Sequence, residues 1–160
     1  MQIIREGKKG GRDEMRILSG RTRKQIKKIT KITKQKVWEV FSMYIRLKYA
    51  DKKGNEICYT CGIVKNWKDM QAGHGFSGRG NSILFDERIV RPQCKRCNIF
   101  LRGNYDIFHA KLIKEYGKDF LNEINKLKKT IKKFTQSELR ELYEHYKREV
   151  EKLLNKLEVK

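Results

Sequence analysis

Proline is almost missing from this chain. Pro92 is its only one, which excludes a proline-rich linker or a polyproline ligand segment. Acidic residues are also few. The 160 residues hold 19 Asp and Glu against 39 Lys and Arg, a net charge of +20, and no acidic block offsets the surplus. A polyanion partner is the simplest reading of that balance, and nucleic acid the simplest polyanion. An anionic membrane surface fits less well, because the basic N-terminus lacks a strongly apolar opposite face. No stretch approaches 18 apolar residues, the span of a transmembrane helix, and the N-terminus lacks the short apolar core of a secretory signal. The chain is therefore expected in the cytoplasm, where paired cysteines favour metal over disulfide. There is no internal repeat, and only three histidines.

Cysteine is absent before Cys58 and after Cys97. All four cysteines fall in two Cys-x-x-Cys pairs, Cys58 and Cys61 in CYTCG and Cys94 and Cys97 in CKRCN. Each two-residue spacer lets both sulfurs reach one ion, so the pairs can place four thiolates around a structural Zn²⁺. The 32 residues between them exceed a simple zinc-ribbon spacing, and a structured hairpin is expected there. That insert carries His74, within AGHGFSGRGN.

Charge is densest in the first third of the chain, and residues 1–20 read as a basic arm, either a solvated tail or a non-specific phosphate contact. Ile26, Ile29 and Ile32 recur every third residue, suggesting a short helix over 22–32. Val37, Phe41, Tyr44 and Ile45 then follow the three-four spacing of one helix face, predicting a helix over 34–50. Its aromatic side, Trp38, Phe41 and Tyr44, is expected to be core, with Arg46 and Lys48 toward DNA. Residues 51–55 read as a turn.

Strands are expected over 70–76 and 82–91. The glycine-rich loop between them permits close backbone approach to a phosphate, with Arg79 as a forked donor, or else forms a mobile hairpin tip. A helix is expected to begin near Pro92 or Cys94, carrying Lys95, Arg96 and Asn98. Further helices are predicted over 106–116, closed by Gly117, over 118–132, and onward from a capping box formed by Thr135 and Glu138. Leu139, Tyr143, Tyr146, Val150, Leu153 and Leu157 form a heptad stripe on the last helix. That stripe either joins two copies in a homodimer or packs on the chain's own helices, the 118–132 helix above all.

A histidine between two knuckles, with CN closing the second, resembles a ββα-metal (HNH-type) nuclease. The segments FSMYIRLK (Phe41 to Lys48), CYTCG, QAGHG, LFDERIVRPQC (Leu84 to Cys94) and CNIFLRGN (Cys97 to Asn104) together resemble the phage lambda NinG (Rap) recombination protein family. The likeness covers roughly residues 35–155. It implies a phage-encoded endonuclease acting in the host cytoplasm on branched DNA such as Holliday junctions and D-loops. His74 falls at the family's catalytic-histidine position, where a neutral imidazole deprotonates water; the alternative is a histidine packed against the zinc site. For a catalytic Mg²⁺ or Mn²⁺ the candidate ligands are Asn98, Asn104 and Asp86, with His109 in reserve. Asn104 is equally suited to cap the helix that follows. His145 is expected to face solvent. Arg79, Arg46, Lys48, Arg91, Lys95, Arg96 and Arg102 are the candidate DNA contacts.

Three departures from the family pattern stand out. Members carry a cysteine-containing module near the N-terminus, which this chain lacks. Gly73 stands where many such nucleases have an acid or a histidine. Ile89 replaces the middle asparagine of the HNH set, which ties the two strands together, and Arg91 replaces the histidine two positions on. Either another polar group, with Asn81 the candidate, takes over the asparagine's work, or the nuclease is weak or dead.

The fold class expected is α+β, mostly helical. A zinc-stabilised ββα-metal core with its leading helix spans 34–117, after a basic arm and short helix over 1–33 and before a C-terminal helical hairpin over 118–160. The competing function is a non-catalytic zinc-containing factor that binds DNA or RNA in recombination or assembly.

Overall fold

Thr33 opens the first described helix: its side chain accepts a hydrogen bond from the Lys36 N–H at 3.2 Å, satisfying one free donor of the first turn. The computed structural model describes residues 31–78 and 80–157, so the arm over 1–20, most of the helix expected over 22–32, and Arg79 lie outside the described residues. The chain divides after Lys31, and the residues from Ile32 onward form one compact unit.

That first helix, α1, spans Lys34–Lys48 and buries Val37, Phe41, Ile45 and Leu47 on one side. Asp51 then accepts the N–H groups of Lys53 and Asn55 at 2.9 and 2.8 Å, folding the expected turn into strand β1, Asn55–Ile57. Strand β2, Val64–Asn66, returns antiparallel with Ile57 opposite Val64, and the first knuckle forms the bend between them. A short 3₁₀ turn, Trp67–Asp69, leads into β3, Met70–His74.

The partner of β3 corrects an expectation. The second long strand is not 82–91 but β4, Val90–Cys94, antiparallel to β3 with Met70 opposite Cys94 and His74 opposite Val90. Residues 81–89 form consecutive turns, in which the Asp86 N–H bonds to Ile83 O and the Ile89 N–H to Asp86 O, both at 3.2 Å. Asp86 Oδ1 also accepts the Arg88 N–H at 3.0 Å. This local side-chain bond offers the backbone an alternative to a sheet ladder. Pro92 accordingly lies within a strand and does not start a helix.

A five-residue π-type helical turn, Arg96–Phe100, follows. Then come α2, Tyr105–Tyr116, α3, Phe120–Lys128, and α4, Gln136–Leu154. Gly117 (φ 96°) closes α2, its N–H bonding to Ile113 O. Thr135 and Glu138 form a reciprocal capping box at the start of α4. About half of the described residues are helical and the rest include two two-stranded sheets, so the architecture is α+β.

The last helix does not pair with α3 in a C-terminal hairpin. It lies along α1, running the same way: Gln136 Nε2 donates to Ile32 O at 3.1 Å, Tyr146 packs on Phe41 and Tyr44 with ring centroids 4.9 and 5.1 Å away, and Val150 clusters with Leu47. Leu139, Tyr146 and Val150, half of the heptad stripe, are buried. α1 wins over α3 because it offers two aromatic rings at the level of Tyr146, and such pairs add to simple area burial. The main core lies between α1, the β3–β4 pair and α2, around Phe41, Ile45, Ile83, Ile89, Phe108 and Leu112. No described helix is long and apolar enough to cross a membrane.

Candidate functional site

The four cysteines converge. Cys58 and Cys61 come from the β1–β2 bend, Cys94 ends β4, and Cys97 sits in the turn behind it. Their sulfurs all lie within 4.8 Å of one another, with Cys61 and Cys94 at 3.7 Å. A tetrahedral zinc–thiolate site with bonds of ~2.3 Å has sulfur–sulfur edges of roughly 3.8 Å, so the set can hold a metal ion such as zinc. Its surroundings favour anionic sulfur at Cys58 and oppose it at Cys61 and Cys94. Burial works against ionising Cys58, but N–H groups of Cys61, Cys94 and Thr60 aim at its sulfur and bring the thiol down to about 6. Burial, with the Cys97 and Cys58 thiols, raises Cys94, and burial pushes Cys61 up to about 12, an obstacle that a central cation would remove.

His74 ends β3 and is buried, only 4% exposed. Both ring nitrogens meet backbone groups: Nδ1 lies 3.1 Å from Phe76 O and 3.3 Å from the Phe76 N–H, and Nε2 lies 3.1 Å from Ile83 O. The Ile83 carbonyl suits a proton on Nε2, while Nδ1 faces both a donor and an acceptor of Phe76. His109 lies close by on α2, its Nε2 2.7 Å from Gly75 O and its ring against those of Phe76 and Tyr105.

The candidate ligands for a divalent catalytic ion are not brought together. Asn98 Nδ2 donates to Gln71 Oε1 at 2.8 Å, and strand alternation puts Gln71 on the face opposite His74. Asn104 occupies the left-handed region (φ 50°) just before α2, makes no side-chain cap, and directs its amide toward Cys97 Sγ at 3.9 Å. Asp86 is committed to Arg88, whose guanidinium it holds at 2.8 Å and which reaches on to Glu123. Among the described residues the four cysteines are the only group of three or more His, Cys, Asp or Glu side chains close enough to share an ion.

The candidate DNA contacts separate into two sets. Lys95, Arg96 and Arg102 are exposed. Three others are engaged by the fold. Arg46 donates to Trp67 O and Met70 O over the Trp67 ring, and burial lowers its pKa against the pull of Glu56. Lys48 pairs with Glu87 at 2.8 Å. Arg91 is 4% exposed; it donates to Glu87 O, Glu115 and Tyr116 and lies within 6.0 Å of the ring centres of Tyr49, Tyr59 and Tyr116.

The family departures find physical reasons here. At Gly73 a Cβ would fall on the carboxamide of Gln93, so an acid or a histidine has no room there. Ile89 is a core residue, and the strand ends are tied through backbone, the Gly75 N–H donating to Ile89 O at 2.7 Å. Asn81 works elsewhere, bonded to Lys34 and to Lys132 O.

Several residues that matter at this site carried no sequence signal. Gln93 is fully buried, its Nε2 donating to Gly103 O at 2.8 Å and Thr60 Oγ1 at 3.1 Å while Oε1 has no partner. Glu56 is buried without a hydrogen bond to either oxygen, and burial pushes its carboxyl up to about 8 despite Arg46. Gln71 could have been noticed only as the polar residue beside QAGHG. Beside it opens a cleft of about 450 Å³, lined among others by Trp38, Arg46, Gln71, Asn98 and Ile99.

No curated protein and no solved structure matches the chain. Residues 4–158, however, match the family described as Bacteriophage Lambda NinG protein, and the chain therefore belongs to that recombination-related bacteriophage family.

Proposed function

We propose that the chain is an endodeoxyribonuclease that hydrolyses phosphodiesters in branched recombination intermediates, Holliday junctions and D-loops, in the cytoplasm of a phage-infected bacterium. Family membership supports the substrate class. The observation that carries the chemistry is the place of His74. It ends one strand of an antiparallel pair whose other strand runs through the second knuckle into a helical turn bearing Asn98, the order of an HNH-type ββα unit.

In this reading Zn²⁺ on Cys58, Cys61, Cys94 and Cys97 is structural. When bound it supplies cross-links between the β1–β2 bend and the end of β4, and its binding energy becomes folding energy. His74 acts as general base through Nδ1. To take a proton from water, Nδ1 must leave both the N–H and the carbonyl of Phe76, with the opposite proton held on Nε2 by Ile83 O. Asn98, Asn104 and Asp86 do not fit a shared Mg²⁺ or Mn²⁺ as they stand. Lys95, Arg96 and Arg102 supply phosphate contacts.

The enclosure of His74 favours a second reading, a zinc-containing DNA- or RNA-binding factor without catalysis, in which the imidazole pins the 76–83 loop to β3. One experiment separates the two. Purified protein is incubated with a labelled four-way junction and with linear duplex, in Mg²⁺, Mn²⁺ or EDTA, beside His74→Ala. A nuclease cuts the junction and loses cutting, not binding, in the variant. Junction binding without cleavage in any metal assigns the second reading.

A further inference from the structure

Three consecutive large apolar side chains stand in solvent on the turn behind the second knuckle. Ile99, Phe100 and Leu101 are 49%, 70% and 43% exposed. Single exposed apolar residues are ordinary, but a contiguous run asks for an occupant. The turn that presents them is well fixed. The Leu101 N–H bonds to Arg96 O at 2.9 Å and that of Gly103 to Cys97 O at 2.9 Å, and Cys97 is itself one of the four clustered thiols.

The charge around the run selects the occupant. Between Glu87 and Asp106 the chain carries no acidic residue, whereas Lys95, Arg96 and Arg102 flank the apolar triplet and are exposed. A protein partner's apolar surface has no need of such a collar; a nucleic acid does, since phosphates surround its stacked bases. Ile99 also borders the cleft that holds Asn98 and Gln71, which opens beside Gln71 on the face opposite His74.

We infer that Phe100, backed by Ile99 and Leu101, is a wedge that inserts between bases at the branch point of DNA, with Lys95, Arg96 and Arg102 holding the adjoining phosphates. This rests on the proposal that the chain acts on DNA and adds how it recognises a branch. Apolar wedges enter base steps by unstacking them. In continuous duplex the whole unstacking cost falls on the protein, but at a branch the stack is already weakened and opens at lower cost. A sequence-blind wedge thus distinguishes branched from linear DNA without reading a base, because every base offers a face to an aromatic ring.

The test uses a four-way junction with 2-aminopurine beside the branch point, whose fluorescence rises on unstacking. Full-length wild type is expected to bind the junction and raise the signal. Phe100→Ala should abolish the rise and weaken junction affinity by roughly tenfold, with duplex affinity changed less than about twofold, while Phe100→Trp restores both. The side chain's exposure means that neither variant should disturb folding, which circular dichroism checks. An undiminished signal and affinity in Phe100→Ala overturn the wedge and leave the DNA-binding reading standing. Failure of wild type to bind either DNA overturns both. A concentration-dependent dimer in sedimentation without DNA, dissociated by Phe100→Ala, gives the patch to a second copy and likewise overturns the wedge.

Discussion

Gly73 shows how one atom decides a position. A Cβ there would meet the carboxamide of Gln93, whose Nε2 is held by Gly103 O and Thr60 Oγ1 in a fully buried site. The amide cannot swing aside without breaking those bonds. Gly73→Ala should therefore lower stability by about 1–3 kcal/mol, the usual range for overpacking, as read from urea unfolding; an unchanged midpoint would mean that Gln93 repacks freely. The same position marks a limit of sequence reading. Gly73 was visible as a departure from the nuclease pattern, but not its cause, since Gln93 lies 20 residues on in the facing strand. Arg91 makes the point again. Beside a knuckle in a basic protein it reads as a DNA contact, yet Glu115 and the tyrosines that enclose it come from elements distant in sequence.

The knuckles were the most legible element, because ligation chemistry fixes spacing within a few residues and needs no knowledge of the rest of the fold. α1 and the Thr135 capping box were legible for the same local reason. The strand expected over 82–91 was misplaced, since a chain of turns there packs Ile83 and Ile89 inward and is closed by the local Asp86–Arg88 bonds. If a metal joins the β1–β2 bend to the end of β4, folding and ligation are coupled. Purified protein should contain about one zinc per chain, and Cys94→Ser or strong chelation should unfold the β3–β4 unit, followed by metal analysis and circular dichroism. Folded protein with no metal would remove zinc from the account.

At the scale of the whole molecule, Glu87 links the first and last described helices. It accepts from Tyr44 and Lys48 of α1 at 3.0 and 2.8 Å and from Tyr146 of α4 at 3.3 Å. Burial raises its carboxyl, but the bonds from Lys48, Tyr44 and Tyr146 prevail and hold it below the usual range. A depressed carboxylate contributes stability that is full above its unfolded pKa, about 4.3, and is lost as the pH falls through the folded value. The melting temperature should thus drop as the pH goes below about 4.5, and Glu87→Gln should flatten that part of the profile while lowering the plateau at neutral pH. A variant that follows the wild-type curve would show the cluster to be unimportant.

The pairing of α1 with α4 also orders events in time. Gln136 meets Ile32 across 104 positions of chain, and contacts so far apart form late, because the loop must close before they repay its entropy. Both knuckles are synthesised well before Gln136. On the ribosome the metal frame can close first, while Phe41 and Leu47 wait only partly covered until the last helix arrives. A nascent chain halted in that interval would be a substrate for chaperones and proteases.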